Sequence, residues 1–355
     1  MPTPQENVSS ALLARRQDLY ARLDRLDTAP LWNVMARLVT PYPQPASVPC
    51  KWDYGQMREL LMEAGDLITA EEAERRVLIL ENAGLRGMSQ VTQSLYAGLQ
   101  MILPGEIAPS HRHAAAALRF VLEGTAGYTA VDGERIFMEP GDFIITPSWT
   151  YHDHGNHGQD PVIWLDGLDV PMVNMFDTSF AQAYPGKQQE VLRPEGDARA
   201  RYGAGLLPLE HVARERFSPV FHYPYKVARA SLEAVQRAGP IDPWHGVKLQ
   251  YVNPENGDYA LPTMAAYLQL MPAGFASREY RSTDATVFCV KEGHGCSTIG
   301  DRTMSWRPGD VFVVPSWSPV THSANVDAVL FSFSDRAAQK KLGLWREHKG
   351  EQAQA

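Results

Sequence analysis

The segment PGDFIITPSW (140–149) returns as PGDVFVVPSW (308–317), with Pro-Gly-Asp and Pro-Ser-Trp at the same spacing in both. Between these two punctuation marks lie four residues, the length of a short strand bounded by turns. The flanking sequence repeats as well. LQMILPGEIAPS (99–110) resembles LQLMPAGFAS (268–277), and FVLEGTAGYTAVDG (120–133) resembles FCVKEGHGCSTIGD (288–301). A period of about 168 residues marks an internal duplication, two copies of one β-rich unit.

Around both copies, short apolar runs such as VLILENAGL and VIWLDGLDV are broken by Gly, Pro and Asp-Gly. That texture predicts antiparallel strands joined by hairpins, as in a sandwich or barrel. The N-terminal region reads differently. Over 8–28, Leu12, Leu13, Leu19, Leu23 and Leu26 recur at helical steps, and Ser9 or Ser10 can cap the start. A second helical pattern covers 54–76, and residues 181–245 are rich in Pro, Arg and Gly with weak periodicity. The expected organisation is a helical arm (1–85), a first barrel (86–180), an irregular linker (181–245), a second barrel (246–340) and a tail (341–355).

Composition narrows the classes. The 355 residues are 44% hydrophobic, enough for a sizeable core, and carry a net charge of −8 with no basic blocks. Nucleic acid and anionic membranes are therefore not expected as partners. Cys50, Cys289 and Cys296 form neither an even set nor a Cys-x-x-Cys pair, which points to a reducing, cytoplasmic setting. The first twenty residues lack an apolar core, and no run approaches the ~18 apolar residues of a spanning helix, so neither export nor membrane insertion is expected.

Five of the eleven histidines fall between His111 and His157. In PSHRHAAAALRF (109–120), His111 and His113 are two apart, so on a strand both face the same side. His152 and His154 repeat the spacing about 40 residues on. Imidazoles gathered in this way suit zinc, copper, iron or nickel, with coordination positions left open for a substrate.

Gly105-x5-His111-x-His113, followed by Pro140-Gly141-Asp142, Pro147 and His152, resembles the two-part cupin motif, and the duplication makes the chain resemble a bicupin. More closely, PSHRHAAAALRFVLEG, AVDGER and GDFIITPSWTYHDHGN are similar to the gentisate 1,2-dioxygenase family, with its salicylate and 1-hydroxy-2-naphthoate relatives, over about residues 30–335. The implied fold is all-β dominated: two duplicated double-stranded β-helix (jelly-roll) barrels with N-terminal helices. Many cupins place a glutamate soon after the second histidine. Here Ala114 to Ala117 occupy that region, as in the ring-cleaving branch with three neutral ligands.

The resemblance implies one Fe(II) per chain, held by His111, His113 and His152. The second barrel has ASREYRSTD at the His-x-His position and Val320 at the His152 position, which implies that it is metal-free. The implied reaction opens gentisate with O₂ between the carboxyl- and hydroxyl-bearing carbons, giving maleylpyruvate. Salicylate and 1-hydroxy-2-naphthoate are alternative substrates for the same chemistry. A non-oxidative cupin isomerase is another reading, separated from the first by oxygen uptake; a non-catalytic storage bicupin is a third, disfavoured because such proteins are secreted and lack the metal histidines present here. A cytoplasmic homotetramer is implied.

Further roles follow by family position. Arg119 shares strand parity with the histidines and suits the substrate carboxylate. His154 is implied as a substrate or supporting contact. Gln100 is expected to bond substrate oxygens, Gly98 to leave room for the ring, and Tyr96 to wall the pocket. Asp166 either orients His154 or meets the far hydroxyl of gentisate. Arg75 is expected to reach the substrate, although Arg76 has the opposite parity and a swap is open. Trp149 and Trp317 are assigned to barrel packing.

Overall fold

The computed structural model describes residues 9–213 and 216–350. Residues 1–8, 214–215 and 351–355, parts of the expected arm, linker and tail, lie outside the described residues. The chain divides into Met1–Gln44 and Pro45–Ala355.

Within the first unit, the expected amphipathic helix runs Ser10–Asp24, and Ser9 caps it by accepting from Leu12 N–H. A second helix, Leu31–Leu38, follows, and Trp32 Nε1 donates to Tyr20 Oη at 3.2 Å. Neither helix has a buried residue. Leu31, Trp32, Met35 and Leu38 all stand exposed.

The second unit holds both barrels. In the first, a six-stranded sheet runs His222–Tyr223, Phe143–Thr146, Ala117–Glu123, Val162–Leu168, Tyr96–Ile102, Arg76–Ile79. It faces a five-stranded sheet in the order Ala181–Ala183, Ile107–His113, His152–Asn156, Gly127–Val131, Glu134–Phe137. The second barrel repeats this. Its six strands run Cys50–Trp52, Val311–Val314, Thr286–Glu292, Ala328–Ser334, Ala265–Met271, Val247–Gln250, opposite a three-stranded sheet of Arg302–Trp306, Gly295–Ile299 and Val320–Ala324. All pairings within these sheets are antiparallel, so each strand alternates between the barrel interior and the outside.

One core serves both barrels. Phe120 of the first stacks on Phe331 of the second at 4.3 Å, and Leu118, Phe143, Cys289, Val313 and Phe333 belong to the same apolar cluster. The edge strands are exchanged between repeats. Cys50–Trp52 pairs with Val311–Val314 of the second barrel, and His222–Tyr223 pairs with Phe143–Thr146 of the first. Each edge strand leads into a 14-residue helix, Tyr54–Leu67 and Tyr225–Ala238. The aspartate of each Pro-Gly-Asp fastens this junction. Asp310 accepts from Tyr54 N–H (2.9 Å) and Lys51 Nζ (3.0 Å), while Asp142 accepts from Tyr225 N–H (2.9 Å) and contacts His222 Nε2 (2.7 Å). The helix over Tyr225–Ala238 lies in the stretch where the sequence showed little periodicity. The second helical pattern, 54–76, yields Tyr54–Leu67 and a short turn at Ala70–Ala73, then becomes the strand Arg76–Ile79.

Candidate metal centre

Register brings the histidines together. Ile107–His113 pairs antiparallel with His152–Asn156, setting His111 opposite His152, and His113 shares their face. One ring nitrogen from each of His111, His113 and His152 lies within 4.8 Å of the other two. The strand carrying His113 is pinned at its end by Trp149, whose N–H donates to His113 O at 2.8 Å. Trp149 reaches this position with φ +60, a left-handed conformation that costs a non-glycine residue energy. Trp317 repeats the turn with φ +59 and donates to Ser282 O. The assignment of Trp149 to barrel packing is corrected here. The residue is 41% exposed, and its ring lies under the Arg112 guanidinium at 4.6 Å.

The three imidazoles are neutral at ordinary pH. Burial, then the nearby Arg75, pushes His111 down to about 3, and burial lowers His113 and His152 as well, the latter with Arg119 as the next cause. His113 Nδ1 contacts Ala115 O (2.7 Å) and His152 Nδ1 contacts Thr150 O (3.0 Å). A carbonyl only accepts, so each Nδ1 carries the proton and each Nε2 offers its lone pair. This donor set fits a divalent transition metal such as iron(II), and it fits a hard oxygen-seeking cation poorly. His111 Nδ1 lies against Arg75 Nη2, which also donates to Pro109 O at 2.8 Å.

A cavity of about 280 Å³ opens beside the triad. Arg75, Tyr96, Gln100, Arg119 and Asp166 line it with the three histidines. Arg76 turns away into an ion pair with Glu106 at 2.9 Å, which separates the two adjacent arginines. Arg119 and Asp166 are cross-strand partners, and Gly98 is the partner of Asp166 on its other side. Arg119 Nη1 donates to Thr146 Oγ1 at 2.5 Å. Its Nε stands 3.4 Å from Asp166 Oδ1, an ionic contact without hydrogen-bond geometry. Trp164 Nε1 donates to the same carboxyl at 3.0 Å. Burial outweighs these partners and pushes Asp166 up to about 6. Two arginines and one carboxyl therefore leave the cavity with surplus positive charge, before any metal is added.

Two expected contacts sit further back. His154 is 1% exposed and does not line the cavity; it contacts Thr129 Oγ1 at 3.0 Å, with its ring 5.5 Å from that of Trp164. Gly98 also lies behind the wall. A Cβ there would come within 2.6 Å of Val77 Cγ1 and 2.9 Å of Tyr96 Oη, so the glycine makes room for wall residues. The sequence reading missed Val77, Met88, Gln90 and Asn174, which line the cavity from a neighbouring strand, a loop and a short helix. Only Val77 carried a signal, lying two residues beyond Arg75 and just inside the strand Arg76–Ile79. Thr146, fourth of the residues between Pro-Gly-Asp and Pro-Ser-Trp, was also missed.

Residues 98–168 match the Cupin_2 domain model. Gentisate 1,2 dioxygenase 1 of Aquipseudomonas alcaligenes is 55% identical over 339 residues, 96% of this chain and 98% of the relative. The chain belongs to the gentisate 1,2-dioxygenase family. A 5-aminosalicylate 1,2-dioxygenase of Comamonas sp is 36% identical, covering 93% of this chain and 89% of the relative. Among solved structures, a mutant salicylate 1,2-dioxygenase of Pseudoaminobacter salicylatoxidans in complex with gentisate superposes with a TM-score of 0.91 at 31% identity, over 99% of this chain and 98% of that one. The fold is that of a bicupin, and the protein is an oxidoreductase of the ring-cleaving dioxygenase class.

Proposed function

We propose that this chain holds one Fe(II) through His111, His113 and His152 and opens gentisate with O₂ to maleylpyruvate. The observation that carries the reading is three neutral imidazoles converging beside a buried, cationic Arg119. In the overall reaction the carbon–carbon bond between the carboxyl- and hydroxyl-bearing positions breaks, and both atoms of O₂ enter the product. Bound iron(II) supplies a centre at which an electron-rich ring and O₂ exchange electrons.

The protein's share is positioning. Arg119 takes the substrate carboxylate with the guanidinium N–H groups that Thr146 leaves free, while Asp166 keeps the guanidinium in place. Gln100 reaches a substrate oxygen, Tyr96 walls the ring, and Arg75 adds a second positive charge. His154 acts from behind His152, and Gly98 sets the width of the wall. The second barrel works without metal. The active form is a cytoplasmic homotetramer, a reading supported by the uncovered apolar residues of Leu31–Leu38. Oxygen uptake by Fe(II)-loaded protein with gentisate, salicylate and 1-hydroxy-2-naphthoate side by side tests the proposal. Gentisate is expected to give the highest kcat/KM. No uptake with any of the three refutes the reading, and a preference for another acid refutes the substrate assignment.

A further inference from the structure

The second barrel has a cavity where the first has its metal centre. It is small, about 30 Å³, and its lining includes Lys248, Gln269, Tyr280, Ser282, His322 and Arg336. The correspondence can be followed strand by strand. Gln269 repeats Gln100 in the duplicated LQ segments. Tyr280 bridges Val320 as His111 faces His152, and Ser282 receives the Trp317 N–H as His113 receives that of Trp149. Phe288 pairs with Ser332 where Arg119 pairs with Asp166. A phenol, a hydroxyl and a valine have thus replaced the three imidazoles, and a ring has replaced the guanidinium.

A cation has nevertheless been restored from another strand. Lys248 stands opposite Gln269, where Val77 stands opposite Gln100. Its Nζ sits 4.8 Å from the Tyr267 ring and 5.6 Å from that of Phe288. The neighbouring acids are committed elsewhere. Asp284 is held by Arg336 at 3.2 Å and by Trp345 Nε1 at 2.9 Å, and Asp242 accepts from Trp244 and His245 N–H. Burial keeps His245 and His322 neutral. Burial, then the nearby Arg336, lowers Lys248 to about 7, and an anion beside the ammonium would hold it charged.

Gln269 adds a second requirement. It is 1% exposed, its Nε2 donates to His245 O at 2.8 Å, and its Oε1 has no donor among the described residues. A ligand that satisfies both groups must accept from Lys248 and donate to Gln269. The space suits a body of roughly two water volumes. We propose that the second barrel binds a small oxoanion carrying a hydroxyl, with bicarbonate as its type, between Lys248 and Gln269. Formate has similar size and charge but lacks the hydroxyl, so it satisfies only the lysine.

The test titrates sodium bicarbonate and sodium formate into the Fe(II)-loaded protein at fixed pH and ionic strength, following the thermal midpoint. Bicarbonate is expected to half-saturate at about tenfold lower concentration than formate, in line with one added hydrogen bond to a buried acceptor. Lys248→Met should lose the response to both anions. Gln269→Met should keep a response but lose the preference for bicarbonate, which preserves the test if the lysine variant fails to fold. Equal responses to the two anions in the wild type, or an unchanged bicarbonate response in Lys248→Met, overturns the proposal. None of these substitutions touches the first barrel's cavity, so failure here leaves the dioxygenase reading standing.

Discussion

Replacing Arg119 by lysine keeps the charge and removes the fork. In the wild type, one Nη1 hydrogen is spent on Thr146 and the ionic face of the group leans on Asp166, leaving the other N–H groups for the carboxylate. A lysine ammonium is a single centre on a differently shaped stem, and it offers three donors where arginine offers five. Holding Asp166 and the substrate together is then a compromise, and one charge-assisted contact is lost. Such a contact is worth about 1.5–3 kcal/mol, or roughly tenfold to 150-fold in kcat/KM. The assay is steady-state oxygen uptake with gentisate, alongside metal analysis of the same samples. Iron content should equal that of the wild type, because Arg119 is not among the converging nitrogens. Repeating the comparison with the carboxamide of gentisate should shrink the difference between the two proteins, since the charge being recognised is gone. Wild-type kcat/KM in a fully metallated Arg119→Lys protein would refute the assignment of the carboxylate to this residue.

Other outcomes are expected. His113→Ala should lose iron and activity together, and wild-type protein should saturate at about one iron per chain; two irons per chain by elemental analysis rules out an empty second barrel. Gly155→Ala should destabilise the fold by about 1–3 kcal/mol and weaken metal binding, because its Cβ would lie 2.3 Å from the Tyr128 ring on the strand that carries His152; an unchanged urea midpoint would contradict this. His245 and His322 are held at about 2 and about 3, below the ordinary 6.5, so the unfolded chain binds protons that the folded chain refuses. Each group's stabilisation is complete above pH 6.5 and falls by about 1.4 kcal/mol per pH unit below it. His322→Gln should therefore lose less stability than wild type between pH 7 and 5.5 in urea titrations, and equal losses would show that His322 does not resist protonation. Light scattering should give a mass well above the 39.5 kDa of one chain, and Trp32→Asp should reduce it; a monomeric wild type would refute the assembly.

The barrels were legible because their turns and alternation are local properties. Pro-Gly-Asp and Pro-Ser-Trp bracket the same four-residue strand in each copy, and the His-x-His spacing fixes a shared face whatever the strand pairs with. What those aspartates grip was not legible. Asp142 and Asp310 reach segments about 83 and 256 residues away, and the two gripped segments share little beyond Tyr54 and Tyr225. The helix over Tyr225–Ala238 has no side-chain cap at Pro224 and follows a Pro- and Gly-rich stretch, so its start carried little signal. The deeper position of His154 was hidden for another reason. Parity gives the side of a strand but not the depth, and Thr129 and Trp164 draw this ring behind the wall. Met88, Gln90 and Asn174 come from a loop and a short helix whose placement depends on the whole barrel.

The exchange of edge strands makes the two repeats inseparable in time as well as in space. Cys50–Trp52 emerges early from the ribosome, yet its partner strand, Val311–Val314, is made more than 250 residues later. Until then the first repeat can assemble most of its barrel around the candidate metal site, but the segment before it has no edge to complete and the shared core around Phe120 lacks Phe331. Contacts of such long sequence separation slow folding, since a large loop must close before they are made. A chain shortened after the first barrel would keep every candidate iron ligand and still leave an apolar face open to water. The second repeat has no counterpart of the histidine triad, yet it is not dispensable. It remains the surface on which the first one finishes folding.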